Sequence, residues 1–215
     1  MKIYLLAICV FISSMIHAQI KKGAIFLGGD ISIYGYNANS EASRQDTSKL
    51  NNYNFYPSIG WVAKDNLVVG VNLLLSFSNR VDTYYNTKTN RLGAGIFVRK
   101  YLPLGKSFYL FANTSLNIQS LNSTFTVQQN YHKKQTGYTI NANLIPGISY
   151  QLNKSLFLEV ALNGLINFGY EKINTEEYNF NSGIYKTNSN NYYLYSNLGN
   201  GVPLQVGLRW IIPGK

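Results

Sequence analysis

Arg99, Glu159 and Arg209 are the residues of this 215-residue chain that most need a chemical explanation. Each sits where apolar residues alternate with small or polar ones, and each falls on the polar parity. Side chains alternate faces along a strand, so all three are expected on one enclosed side. Each lies a few residues from a short turn, which places them at the same end of the molecule. Glu159 and Arg209 fall on neighbouring strands and are positioned to pair. Enclosed charge is costly unless it is paired and hydrogen-bonded. Two arginines around one glutamate therefore read as a mutually compensating ionic cluster in the interior, structural in role, with a gate as the sharper alternative. Asp30 shares the inward parity, nearer mid-strand.

Catalytic and metal chemistry find little support. Beyond residue 18 the only histidine is His132, flanked by Lys133 and Lys134 in a polar segment. Nucleophilic catalysis needs partners held by a rigid frame, and a basic solvated patch accounts for this histidine better. No His/Cys cluster suits zinc. Glu171, Glu176 and Glu177 lack the spacing of a calcium loop. Gly28-Gly29, Gly93 and Gly95 lie within alternating stretches and serve packing or curvature rather than phosphate binding. The expectation is a non-enzymatic protein with no catalytic residue, cofactor or metal.

The elements that position the ionic residues are about eight alternating stretches. The clearest is Leu67 to Phe77, with Leu67, Val69, Val71, Leu73, Leu75 and Phe77 on one face and Gly70, Asn72 and Ser76 on the other. A transmembrane strand needs about 9–11 residues, and this stretch is long enough. The others cover about residues 24–36, 53–63, 91–102, 108–121, 137–151, 156–170 and 196–212, the last most secure from Leu204. Between them the spacing alternates. Lys64-Asp65-Asn66, Pro103 to Ser107 and Asn153-Lys154 are short turns. Residues 37–52, 80–90, 122–136 and 171–191 are long polar segments, expected as loops. Short turns at one end and long loops at the other are the asymmetry of an outer-membrane barrel. The predicted fold is all-β, an eight-stranded antiparallel up-and-down transmembrane β-barrel. Its interior is filled by side chains, and its closure leaves no unpaired edge in lipid. Pro57, Pro146 and Pro203 each remove a ladder hydrogen bond and predict local bulges or nearby strand ends.

Residues 1–18 read as a secretory signal: Lys2, then an apolar run from Ile3 to Ile16, then Ala18 before Gln19. The run is too short for a spanning helix. Cys9 follows Ile8, whereas a lipidation site needs a small residue there. Cleavage would leave residues 19–215 as one barrel domain without cysteine, and hence without disulfide or thiol chemistry. Formal charge is +10, and Lys2 is the only charged residue of the first 18, so the remainder carries +9. For an exported chain this basicity points away from nucleic acid and toward phosphates of surface lipid, including lipopolysaccharide; solvated loop lysines are the plainer reading.

Aromatic residues gather at strand ends, where amphipathic rings suit a membrane interface. Trp61, Tyr101, Tyr150 and Trp210 are expected as interface anchors near the turns, and outward Lys100 as a snorkelling cation. The polar segments are rich in Asn, Tyr, Ser and Thr, a composition that permits adaptable contact with an extracellular ligand the sequence does not identify.

The run Phe55-Tyr56-Pro57-Ser58-Ile59-Gly60-Trp61-Val62-Ala63-Lys64-Asp65-Asn66-Leu67-Val68-Val69-Gly70 resembles the second hairpin of the small outer-membrane β-barrel domain family, in the broad OmpA/OmpX-like group. Lys22-Gly23-Ala24-Ile25-Phe26-Leu27-Gly28-Gly29 is similar to that family's first strand. The likeness spans about residues 20–212 and implies an outer-membrane location and insertion by the barrel-assembly machinery. It also implies that Arg99, Glu159 and Arg209 plug the interior as the family's ionic clusters do. Family barrels often end on an aromatic residue that aids assembly. Here the chain ends Trp210-Ile211-Ile212-Pro213-Gly214-Lys215, which leaves Trp210 for that role. The implied function is structural or surface-interacting; a narrow pore or small-molecule conduit, and a soluble periplasmic lipocalin-like binder, are the alternatives.

Overall fold

A strand whose two faces meet different surroundings alternates in sequence, and each alternating stretch contains strand, although residues 197–203 of the last one lie outside the described residues. In the computed structural model, residues 19–40, 46–127, 131–162, 164–179, 183–196 and 204–214 are described. Residues 1–18, Glu41, Arg44 and Pro203 lie outside them. The strands are β1 (Ile25–Ser40), β2 (Asp46–Lys64), β3 (Leu67–Asp82), β4 (Tyr85–Pro103), β5 (Phe108–Val127), β6 (Tyr131–Gln151), β7 (Leu156–Leu162), β8 (Ile166–Asn179), β9 (Gly183–Tyr195) and β10 (Leu204–Ile212).

Eight of these strands close a ring. β1 through β7 pair antiparallel in sequence order, β7 pairs with β10, and β10 returns to β1 through Ile25–Ile31 against Val206–Ile212. The eight-stranded expectation therefore holds for the closed ring, while the full sheet contains ten strands. The extra two arise because the seventh wall is shared by β7 and β8 and the eighth by β9 and β10. β6 pairs through Gly147–Gln151 with β7 and, higher up, through Tyr131–Leu144 with β8. The ladder on that side skips Ile145 and Pro146, next to the break between β7 and β8. Pro57 has a similar signature, since the β2–β3 ladder skips from Phe55–Leu75 to Ser58–Asn72. Both match the missing proline donor. Among the described residues, β1 above Ile31 pairs only with β2, and β9 pairs only with β8.

The polar segments expected as loops are mostly paired strand. β3 and β4 run on to Val81–Asn86, β5 and β6 to Val127–Tyr131, and β8 and β9 to Asn179–Gly183. Once both faces of a ribbon meet water, nothing selects apolar residues on either side. Alternation then vanishes while backbone pairing continues. Strands of up to 21 residues result, about twice what a bilayer requires.

The turn end is tight. Asn66 adopts φ 62°, a left-handed conformation that asparagine tolerates. Its Oδ1 accepts from Ile20 N at 2.9 Å, and its own N–H donates back to Ile20 O at 2.9 Å. This clamp folds Ile20 under the ring, where it is buried. Asn153 Oδ1 accepts from the N–H groups of Ser155 and Leu156, both at 2.9 Å, and shapes the turn before β7.

Cross-strand ion pairs brace the polar ribbon. Lys133 meets Glu177 at 2.7 Å and Lys186 meets Glu176 at 2.8 Å. The hydrogen bond from Lys133 holds the Glu177 carboxyl below its ordinary 4.5, and that from Lys186 does the same for Glu176. A depressed carboxylate contributes its pairing above the unfolded value and loses it as pH falls through the folded one. Carboxyl-carbon NMR titration is expected to give both glutamates midpoints below 4.5, and Lys133→Met is expected to raise that of Glu177 alone.

Candidate functional site

The interior is layered. At the turn end, Phe26, Val62, Val68, Tyr109, Phe111, Phe157 and Ile211 pack with Ile20 into an apolar base. The ionic residues rest on this base. Arg99 on β4 reaches across the ring, and its Nη1 donates to Glu159 Oε2 on β7 at 2.6 Å. These strands are three apart around the wall, so the pair is a strut across the interior rather than a neighbour contact. Arg99 Nε also donates to Asn113 Oδ1 at 3.2 Å, and its Cζ lies 4.7 Å from the Phe111 ring centroid and 5.3 Å from that of Phe26.

Arg209 on β10 approaches from the other side. Its Nε lies 3.1 Å from Glu159 Oε2, close enough to be an ion pair but not aligned as a hydrogen bond. Nη1 donates to the Gly29 carbonyl at 2.7 Å, and Nη2 donates to Asp30 Oδ1. Glycine makes this path possible, because a Cβ at Gly28 or Gly207 would overlap the Arg209 side chain. The structure thus brings Arg99, Glu159 and Arg209 together and adds two members that sequence reasoning leaves out. Asp30 is one. Tyr101, whose Oη donates to Glu159 Oε1 at 2.6 Å, is the other. Two guanidinium groups face two carboxylates, so the cluster is neutral.

Nearness to a turn predicts Tyr101 in the outer aromatic girdle, but it is fully buried at 0% exposure. Odd positions of β4 face inward with Phe97 and Arg99, so parity, not nearness to a turn, decides where Tyr101 points. Trp61, Tyr150 and Trp210 do lie outside, exposed near the turns, and Phe108 packs on Tyr150 with ring centroids 4.7 Å apart. Lys100 is exposed and its Nζ donates to the Asp65 carbonyl at 3.4 Å.

Chemically, Glu159 is spent. One carboxylate oxygen takes the Tyr101 hydroxyl and the other takes Arg99 with Arg209 alongside, so both oxygens are engaged in the cluster. His132 stands exposed on β6, with Nδ1 3.3 Å from Thr126 Oγ1. Glu176 and Glu177 hold the lysines of the ribbon, and Glu171 faces the upper interior, 3.4 Å from Thr139 Oγ1.

Above the cluster lies a cavity of about 140 Å³. A one-directional amide chain crosses its wall: Asn72 Nδ2 donates to Asn117 Oδ1 at 3.2 Å, and Asn117 Nδ2 donates to Ser115 Oγ at 3.1 Å and Asn141 Oδ1 at 3.2 Å.

No protein-family model matches the chain, and no curated protein matches it in sequence. Among solved structures it is similar to the translocator domain of the autotransporter NalP from Neisseria meningitidis, at 10% identity and TM-score 0.48, over 97% of this chain and 95% of that one. It is similar to the outer membrane protein OprG from Pseudomonas aeruginosa at 12% identity and TM-score 0.48, over 89% and 97%. A major outer membrane protein from Thermus thermophilus matches at 11% identity and TM-score 0.49, over 91% and 100%.

Removing one partner of a buried pair costs more than the pair contributes, because the remaining charge loses its compensation. Glu159→Gln is expected to destabilise the fold by about 3–5 kcal/mol, read from the urea midpoint in phospholipid vesicles. Glu176→Gln, on the exposed ribbon, should leave that midpoint in place.

Proposed function

We propose that this chain is a non-enzymatic outer-membrane β-barrel of the OmpA/OmpX-like kind, structural or surface-interacting in role. In this reading residues 1–18 are a cleaved export signal and residues 19–215 form the barrel. One observation carries the reading: the walls turn their aliphatic residues outward and their amides and ions inward. On β1 Ile31 and Ile33 are exposed, on β3 Val71 and Leu73, on β5 Leu116 and Ile118, and on β10 Val206 and Leu208. On the opposite parity Asn117 and Glu159 are only 2% and 1% exposed. A soluble lipocalin-like binder requires the reverse. So large an exposed apolar surface is costly in water and favourable in lipid.

The ribbons then stand outside the cell and the turns face the periplasm. Lys49, Lys88, Lys134 and Lys172 lie on the ribbons, where they suit phosphates of lipopolysaccharide. Tyr- and Asn-rich ribbon faces supply contact area for an extracellular partner. The assembly machinery of the outer membrane would insert the barrel, with Trp210 on the last strand as its aromatic signal. The ionic cluster and apolar base close the interior, which favours a plug over a pore. The non-enzymatic reading is supported by the pairing of Glu159 with Arg99, Arg209 and Tyr101 and by the exposed position of His132 on the ribbon.

Envelope fractionation with gel migration before and after boiling tests the reading. A folded barrel in the outer-membrane fraction should migrate differently once boiled. Reconstituted in planar bilayers, it should show no discrete conductance; steady channel steps would replace the plug by a pore.

A further inference from the structure

The cavity above the ionic cluster is lined by buried polar atoms that lack partners. Ser58 Oγ, Asn72 Oδ1 and Asn143 Oδ1 are buried and have no hydrogen-bond partner. The amide donors of Asn72 and Asn117 are already committed to the wall network. Buried polar atoms of native proteins are nearly always satisfied, so two orphaned amide oxygens and one hydroxyl around one cavity call for an occupant whose groups both donate and accept, as hydroxyls do.

Charge narrows the occupant. An anion would need the guanidinium groups, and these are spent on Glu159, Asp30, Asn113 and the Gly29 carbonyl. A cation would need Asp30 or Glu159, and both are already paired with arginine. A neutral molecule with several hydroxyl groups fits what remains. Leu74, Phe97, Ile145 and Ala161 give the cavity an apolar side that suits C–H faces. About 140 Å³ is roughly ten times the space that one water molecule requires.

Access is one-sided. Below the cavity, Phe26, Tyr101 and Val68 are sealed at 0% exposure, whereas Asn141, Gln119 and Glu171 above it are half-buried. We propose that the interior above the ionic cluster is a blind vestibule that binds a small neutral polyhydroxylated solute, a short polyol or a single sugar unit, entering from the ribbon end. The proposal takes from the preceding reading only that the ribbon end faces outside the cell.

The full barrel, refolded in detergent micelles, can be titrated with glycerol, xylitol and glucose while asparagine side-chain amides are followed by NMR. At least one of these probes should shift Asn72, Asn117 and Asn143 saturably while leaving Asn188 and Asn190 on the exposed ribbon unmoved. Asn72→Leu should weaken the effect at least ten-fold, and Asn190→Leu should not. If Asn72→Leu fails to fold, Ser58→Val takes its place with the same expectation. Shifts that rise linearly with all three probes and move Asn188 equally would mean a merely hydrated interior and overturn the proposal. Saturable shifts unaffected by either interior variant would overturn it as well. Heat-dependent migration of the unaltered chain checks the barrel itself, so failure of the vestibule and failure of the barrel give different results.

Discussion

Lipid tails offer no partner to a backbone N–H or C=O, so a sheet that spans a membrane must hydrogen-bond itself completely. The return of β10 to β1 through Ile25–Ile31 meets that demand at the turn end, and most other features follow from it. Closure creates an inside and an outside. The outside carries the exposed Ile, Leu and Val, which in the proposed reading meet hydrocarbon. The inside of an eight-stranded ring is too narrow to be a channel by default and must be packed with side chains.

Packing that interior with polar groups raises a second problem, and the cluster solves it by mutual satisfaction. Glu159 draws together three strands that are not all neighbours in the wall, with Arg99 and Tyr101 arriving from β4 and Arg209 from β10. Aromatic rings beneath and beside the guanidinium groups exclude water and add cation–π attraction. The result is a firm floor at one end and, above it, a less crowded interior whose amide groups are only partly paired. Sealing and binding capacity thus come from the same chain of side chains, differing in how completely each layer is satisfied.

Period-two patterning makes the walls legible, since Leu67–Phe77 and Leu204–Ile212 keep one phase through the whole stretch. It also places Arg99, Glu159 and Arg209 on the inward parity. Asp30 reads as inward but too high, because a linear sequence does not show that Arg209 reaches across two glycines toward it. Tyr101 is misplaced by its nearness to a turn, although its own parity already puts it beside Arg99. The ribbons resemble loops in sequence because pairing without burial leaves no periodic signal. The division of the seventh and eighth walls leaves faint traces, Pro146 beside the end of β7 and Pro203 just before β10.

Lipid-side accessibility of single cysteines tests the inside–outside assignment most directly, since the chain carries no cysteine after Cys9. Thiol-linked fluorophores at Val71 and Leu116 should be quenched by brominated lipid tails, while those at Asn72 and Asn117 should not. Quenching at the asparagines with protection of Val71 and Leu116 would contradict the account, because the aliphatic face would then line the interior.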